Sequence, residues 1–177
     1  RFVRETQPEA WRALEAHYAG SAEAESFKRL ERALRERGTL EVLRDGIKLV
    51  PNIQFALCHF RPASSLNRDL MRAWQANILS VMRQVRYSTR NQNAIDLVLF
   101  VNGLPVATLE VKNTLTGQTV RHAERQYRTD RSPAGEPLLT FKRGALVHFA
   151  LDQTTASMTT RLMNGKTRFL PFNRGRD

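Results

Sequence analysis

Apolar residues recur along this chain at two spacings, and the switches between them mark out its elements. Near the start, Trp11, Leu14 and Tyr18 fall at i, i+3 and i+7, the spacing of one helix face. This predicts a helix over residues 7–19, with Thr6 as N-cap, Pro8 and Glu9 in the first turn and Gly20 as its stop. Ser21 then starts a second helix, 22–36, with Phe27, Leu30 and Leu34 inward and Gly38 as the closing residue. Residues 39–45 suit a short strand or a helical turn, and Asp45-Gly46 suits a turn. Residues 47–50 and 53–59 predict short strands broken at Pro51-Asn52. After a loop over 62–65, Asn67 caps a helix over 68–77, and residues 79–88 predict a strand.

Residues 92–113 hold two apolar runs rich in β-branched side chains. These runs flank Asn102-Gly103 and predict a β-hairpin. Three charges interrupt them: Asp96 in the first arm, Glu110 and Lys112 in the second. A charge within an apolar strand is costly unless it is paired or binds a metal. With a two-residue turn, the alternation of side chains would send Asp96 and Glu110 to opposite faces. A three-residue loop, Val101-Asn102-Gly103 with Gly103 left-handed, would bring both to one face beside Lys112, so an odd loop or a bulge near Gly103 is expected. A helix follows over 120–131, started by Thr119 and ended by Pro133. Strands are predicted over 138–141, 145–151 and 156–162, and an extended tail over 168–174.

The fold class these elements predict is α/β. It has a mixed central β-sheet, an αβββαβ core containing the hairpin with helix 120–131 across one face, and extra N-terminal helices. No Gly-rich strand-to-helix fingerprint supports a dinucleotide-binding fold.

Composition narrows the function. The chain has 177 residues, enough for one domain with a real core. No apolar run reaches membrane-spanning length, and no signal segment opens the sequence. Cys58 is the single cysteine, which excludes an internal disulfide framework and fits a reducing cytoplasm. The 28 basic and 17 acidic residues give a net charge of +11, pointing to a polyanion such as a phosphate backbone. Arg83, Arg86 and Arg90 lie in or just beyond one predicted strand, and Arg125, Arg128 and Arg131 on the helix after the hairpin. The strand arginines suit either a phosphate-tracking stripe or a solvated face, and Arg128 and Arg131 suit either phosphate contacts or pairing with Asp130 and Glu124 on the helix surface. His148 alternates within an apolar strand and reads as a packed, hydrogen-bonded core residue rather than a ligand. The abrupt ends, Arg1-Phe2-Val3 and Asn173-Arg-Gly-Arg-Asp177, read as those of a piece of a longer protein.

The hairpin pattern Asp96-x13-Glu110-x-Lys112 resembles the PD-(D/E)xK nuclease superfamily. Its chemistry fits these residue types: two carboxylates can hold Mg²⁺, and a lysine can position a water or offset phosphate charge. A plain salt bridge of Lys112 with Asp96 or Glu110 is the alternative for the triplet alone. Further blocks resemble one family more narrowly, the N-terminal nuclease domain of the restriction (R) subunit of type I restriction-modification enzymes. They are Val3-Arg-Glu-Thr-Gln-Pro8, Gly38-Thr-Leu-Glu-Val-Leu-Arg-Asp-Gly46, Asp96-Leu-Val-Leu-Phe-Val-Asn-Gly-Leu-Pro105, Leu109-Glu-Val-Lys-Asn113, Gln126-Tyr-Arg-Thr-Asp-Arg131, Leu146-Val-His-Phe-Ala150 and Phe169-Leu-Pro-Phe-Asn-Arg174.

That resemblance implies Mg²⁺-dependent cleavage of double-stranded DNA. Asp96, Glu110 and Lys112 would be catalytic, and Asp96, Glu110 and Val111 would hold the metal. Gln126, Arg128, Arg131, Arg83, Arg86 and Arg90 would contact DNA. It further implies ATP-driven translocase domains in the same subunit, partner modification and specificity subunits, and a prokaryotic cytoplasmic location with no membrane. Many members carry Gln-x-x-x-Tyr on the helix after the hairpin, whereas here Gln126 is followed at that spacing by Asp130, and Tyr127 sits beside it. A DNA-binding or coupling module without cleavage of its own, a repair nuclease of the same superfamily and a module that binds acidic proteins are the competing readings.

Overall fold

The computed structural model describes residues 1–172. The tail expected to run extended over 168–174 therefore lies partly outside the described residues, at Asn173 and Arg174. The chain forms two compact units, residues 1–79 with 101–103, and residues 80–100 with those from 104 onward.

The first unit is mostly helical. It holds α1 (Phe2–Thr6), α2 (Pro8–Tyr18), α3 (Ala22–Glu36), α4 (Thr39–Asp45), the antiparallel pair β1 (Ile47–Leu49) and β2 (Ile53–Phe55), and α5 (Arg68–Gln75). Leu14, Val42, Leu43, Ile47, Ile53 and Phe55 are buried in it, and Trp11 stacks on Phe55 with ring centroids 5.9 Å apart. Thr6 is not the N-cap expected for α2. It closes α1, where its hydroxyl donates to the Phe2 carbonyl, and Gln7 takes the capping position. Residues 39–45 resolve as helix. Phe27, expected inward, is 60% exposed; Ala22 and Ala33 are the buried residues of α3. Asn67 caps α5 as predicted, its Oδ1 accepting from the amides of Asp69 and Leu70 at 3.1 Å each. Gly46 has φ +68, and a Cβ there would lie 1.9 Å from the Phe55 carbonyl oxygen, so only glycine lets α4 turn into β1 against β2.

The second unit is built on a six-stranded mixed sheet in the order β3 (Leu79–Arg86), β4 (Ala94–Val101), β5 (Leu104–Val111), β6 (Val147–Leu151), β7 (Ala156–Thr159) and β8 (Leu170–Pro171). β5 and β6 are parallel, joined through α6 (Val120–Thr129); β6–β7 and β7–β8 are antiparallel. Ala123 and Tyr127 of α6 pack with Ile95, Val98, Leu139, Ala150 and Leu162 as one core. The hairpin thus lies inside the sheet, with α6 over β5, β6 and β7.

Three expectations need correction in this unit. Residues 138–141 are turns, because the amides of Thr140 and Gly144 reach back four residues to the carbonyls of Glu136 and Thr140. The strand expected over 156–162 stops at Thr159, where its hydroxyl accepts from the Arg161 amide and bends the chain. Leu170 and Pro171, expected as tail, pair with β7.

Candidate functional site

The turn between β4 and β5 is two residues long, not three. Asn102 (φ 52) and Gly103 (φ 86) are both left-handed, the signature of a type I′ hairpin. This corrects the odd loop expected at Val101–Gly103. The change of face is made up within the strands instead. Ile95 and Val98, three residues apart in β4, are both fully buried and belong to one cluster, so strict alternation slips between them. In β3, Gln84 takes φ 50, a left-handed conformation rare for a non-glycine in a strand, and its side-chain amide donates to Asp96 Oδ1 at 3.1 Å.

Asp96 and Glu110 therefore adjoin despite the tight turn. Asp96 is half-buried, and its Oδ2 accepts from the Val111 amide at 2.9 Å. Glu110, near the end of β5 and flanked by β4 and β6, is wholly buried. Arg131 Nε donates to Glu110 Oε1 at 2.7 Å, and Arg131 Nη2 donates to the Ala94 carbonyl at 2.8 Å. Glu110 Oε2 is buried and takes no hydrogen bond among the described residues. Burial pushes the Glu110 carboxyl up to about 7; Arg131 pulls against that, and the neighbouring Asp96 adds to it through charge and direct contact.

Lys112 follows at the end of β5, half-buried. Its ammonium donates to the Gln126 side-chain carbonyl on α6 and forms no ion pair with either carboxylate among the described residues. The salt bridge weighed for the triplet is thus absent there. The cation beside Glu110 is Arg131, and spacing gave no signal for that partnership across 21 residues. Beneath the site, the Thr108 hydroxyl meets Tyr127 OH at 2.9 Å and His148 Nδ1 at 2.7 Å, all three buried. Burial lowers the His148 pKa to about 4 and raises that of Tyr127 well above its usual value. Tyr127 is thereby a core residue supporting β5.

The donor set suits a hard divalent ion. An orphaned buried carboxylate oxygen stands beside a second carboxylate, and oxygen ligands are what Mg²⁺ takes while keeping several waters. No cluster of three or more His, Cys, Asp or Glu residues exists among the described residues, so a site here relies on two carboxylates, with main chain or water completing it.

A family model described as type I restriction enzyme R protein N terminus matches residues 8–166. The chain belongs to that family. No curated protein matches the chain, and no solved structure does.

In this family member the six residues expected to touch DNA divide sharply. Gln126 holds Lys112. Arg131 is buried on Glu110. Arg90 is tied to Glu136 at 2.6 Å and to the Ala134 carbonyl. Arg128 pairs with Glu124 at 3.1 Å, donates to the Thr167 carbonyl at 3.0 Å and lies over the Phe169 ring. Arg83 and Arg86 are exposed on β3 and form no ion pair among the described residues; Arg125, on α6, is likewise exposed and unpaired by charge. His122, on the same helix, accepts from the Thr119 amide at 3.0 Å and caps α6. No helix among the described residues is long and apolar enough to cross a membrane.

Proposed function

We propose that this chain is the nuclease domain of a type I restriction R subunit and hydrolyses phosphodiester bonds of double-stranded DNA with Mg²⁺. The observation that carries this reading is the junction of Asp96 with Glu110, one oxygen of which is buried and takes no hydrogen bond among the described residues, with Lys112 at the same end of the sheet. Membership of the R protein family supports it.

Asp96, Glu110 and Val111 would hold the ion. When bound, such an ion withdraws charge from a phosphate and lowers the pKa of a water. The chain's own residues do the rest. Gln126 steadies the Lys112 ammonium, which is thereby available to orient the attacking water or offset phosphate charge. Gln84 and the Val111 amide fix the Asp96 carboxylate. Arg83, Arg86 and Arg125 supply exposed positive charge for the DNA backbone. On this reading the chain works in the prokaryotic cytoplasm, within a longer subunit whose other domains use ATP to translocate DNA, in complex with modification and specificity subunits.

The test is DNA cleavage by the assembled enzyme carrying Asp96→Asn, Glu110→Gln or Lys112→Ala. Each is expected to lose about a hundredfold or more of cleavage, the order supplied by a positioned catalytic group, while ATP hydrolysis continues. Undiminished cleavage by all three variants would refute the reading.

A further inference from the structure

Glu110 and Asp96 place two carboxylates side by side, and one side chain, Arg131, supplies the balancing positive charge. Its guanidinium is held from two directions, on Glu110 Oε1 at 2.7 Å and on the Ala94 carbonyl at 2.8 Å, and only 6% of its side chain is exposed. It occupies one oxygen of Glu110 and leaves the other, Oε2, buried and without a hydrogen bond among the described residues. A guanidinium that used both oxygens in a fork would close the carboxylate to any other cation. This one-sided grip leaves the second oxygen buried and free of a hydrogen bond among the described residues, in a carboxylate that adjoins Asp96.

From this geometry we infer that Arg131 is a resident counter-cation of the carboxylate pair: it orients Glu110 for a divalent ion and, by its own charge, weakens the binding of that ion. The inference rests on the metal reading of the site given above. Two consequences follow from the charges. Without a metal, Arg131 keeps a fully buried carboxylate from standing uncompensated, a condition that strongly destabilises folded proteins. With a metal, the fixed positive charge repels the arriving one, so affinity is traded for a fold that does not depend on the ion. Arg131 is thus a positioning residue acting through Glu110.

The experiment measures Mn²⁺ binding by calorimetry and thermal melting with EDTA or saturating Mn²⁺, for the wild type, Asp96→Asn, Arg131→Gln and Arg131→Lys. Arg131→Gln keeps a donor for Glu110 and removes the charge. It is expected to melt lower than wild type in EDTA, to gain more from Mn²⁺ and to bind Mn²⁺ roughly tenfold more tightly, the order expected for removing one nearby positive charge at high effective dielectric. Arg131→Lys keeps the charge and should bind Mn²⁺ within about twofold of wild type on the same grounds. An Arg131→Gln chain that folds only with Mn²⁺ supports the inference. Equal losses of melting temperature with and without Mn²⁺, at unchanged affinity, would make Arg131 a mere structural strut and overturn it.

A second readout does not depend on the variants folding. In the wild type, the Arg131 Nε–H resonance should shift as Mg²⁺ is added, with the same midpoint as ion binding. A resonance indifferent to bound Mg²⁺ overturns the inference. Wild-type binding that Asp96→Asn abolishes but Arg131→Gln leaves unchanged overturns this inference alone. Absence of any wild-type binding overturns the metal reading and this inference with it.

Discussion

Glu110 and His148 are both wholly buried, and burial moves their protons in opposite directions on the pH scale. His148 is held neutral, its pKa lowered to about 4 by desolvation, while an unfolded histidine titrates near 6.5. Its contribution to stability is complete above pH 6.5 and is lost as pH falls towards 4, because the unfolded chain accepts a proton that the folded one refuses. Glu110 does the reverse. Its folded pKa of about 7 lies above the ordinary 4.5, so stability is lost as pH rises through that window. The windows overlap with opposite slopes, and comparison with variants separates them. The stability advantage of wild type over His148→Gln should shrink by on the order of 3 kcal/mol between about pH 7.5 and about pH 4, measured by denaturant unfolding at each pH. A difference that stays constant with pH would mean that His148 charges freely in the fold. At this scale the sequence named Asp96, Glu110 and Lys112, because charge in an apolar strand is conspicuous. It did not disclose Arg131 or Gln84 as their partners, since both come from elements that only the sheet and the helix bring near.

The hairpin shows what the pattern along an element conveys and what it omits. Asn-Gly between two β-branched runs specified the hairpin and its place in the sheet. Parity then demanded an odd loop or a bulge near Gly103; the turn is a two-residue one, and alternation slips instead between Ile95 and Val98 inside β4. Such a slip adds no residue to the turn and leaves no mark in composition, so counting from Gly103 could not find it. Short-range rules failed elsewhere for similar reasons. The apolar run at 138–141 is buried at Leu139 yet forms turns, since periodicity alone does not tell a strand from a compact bend. The turn itself separates two causes of stability. A Cβ at Gly103 would meet nothing within 4 Å, so Gly103→Ala carries mainly the left-handed strain, about 1–2 kcal/mol. Asn102 does more: its side chain accepts from the Ile78 amide at 2.7 Å and donates to the Leu57 carbonyl and Asn77 Oδ1, each at 2.9 Å. Asn102→Ala should therefore cost more than Gly103→Ala, roughly 2–4 kcal/mol. A smaller loss for Asn102→Ala in equilibrium unfolding would show that these bonds add little.

Across the whole molecule, the charge of +11 signalled a polyanionic partner but not which side chains meet it. Arg90, Arg128 and Arg131 satisfy carboxylates and carbonyls of the chain itself, whereas Arg83, Arg86 and Arg125 are exposed without ion pairs among the described residues. DNA binding should follow that division. Replacing Arg83, Arg86 and Arg125 together with Gln should reduce the slope of log K against log salt by up to about 2.7, at roughly 0.9 for each phosphate no longer neutralised. An unchanged slope in fluorescence titrations of duplex DNA would place the DNA-binding surface elsewhere. The family, the α/β class and the central hairpin were all legible in the sequence, because local blocks and periodicity carry them. The partition of arginines was legible only for Arg128, whose pairing with Glu124 is an i, i+4 contact on one helix; for Arg90 and Arg131 it depends on which carboxylates the fold brings within reach. The central claim, that Asp96 and Glu110 together form a divalent-ion site, is tested most directly by anomalous diffraction from crystals equilibrated with Mn²⁺. The account predicts one Mn²⁺ bound by both carboxylates, with Glu110 Oε2 among its ligands. A fully ordered Asp96–Glu110–Arg131 cluster with no anomalous density at saturating Mn²⁺ would contradict it.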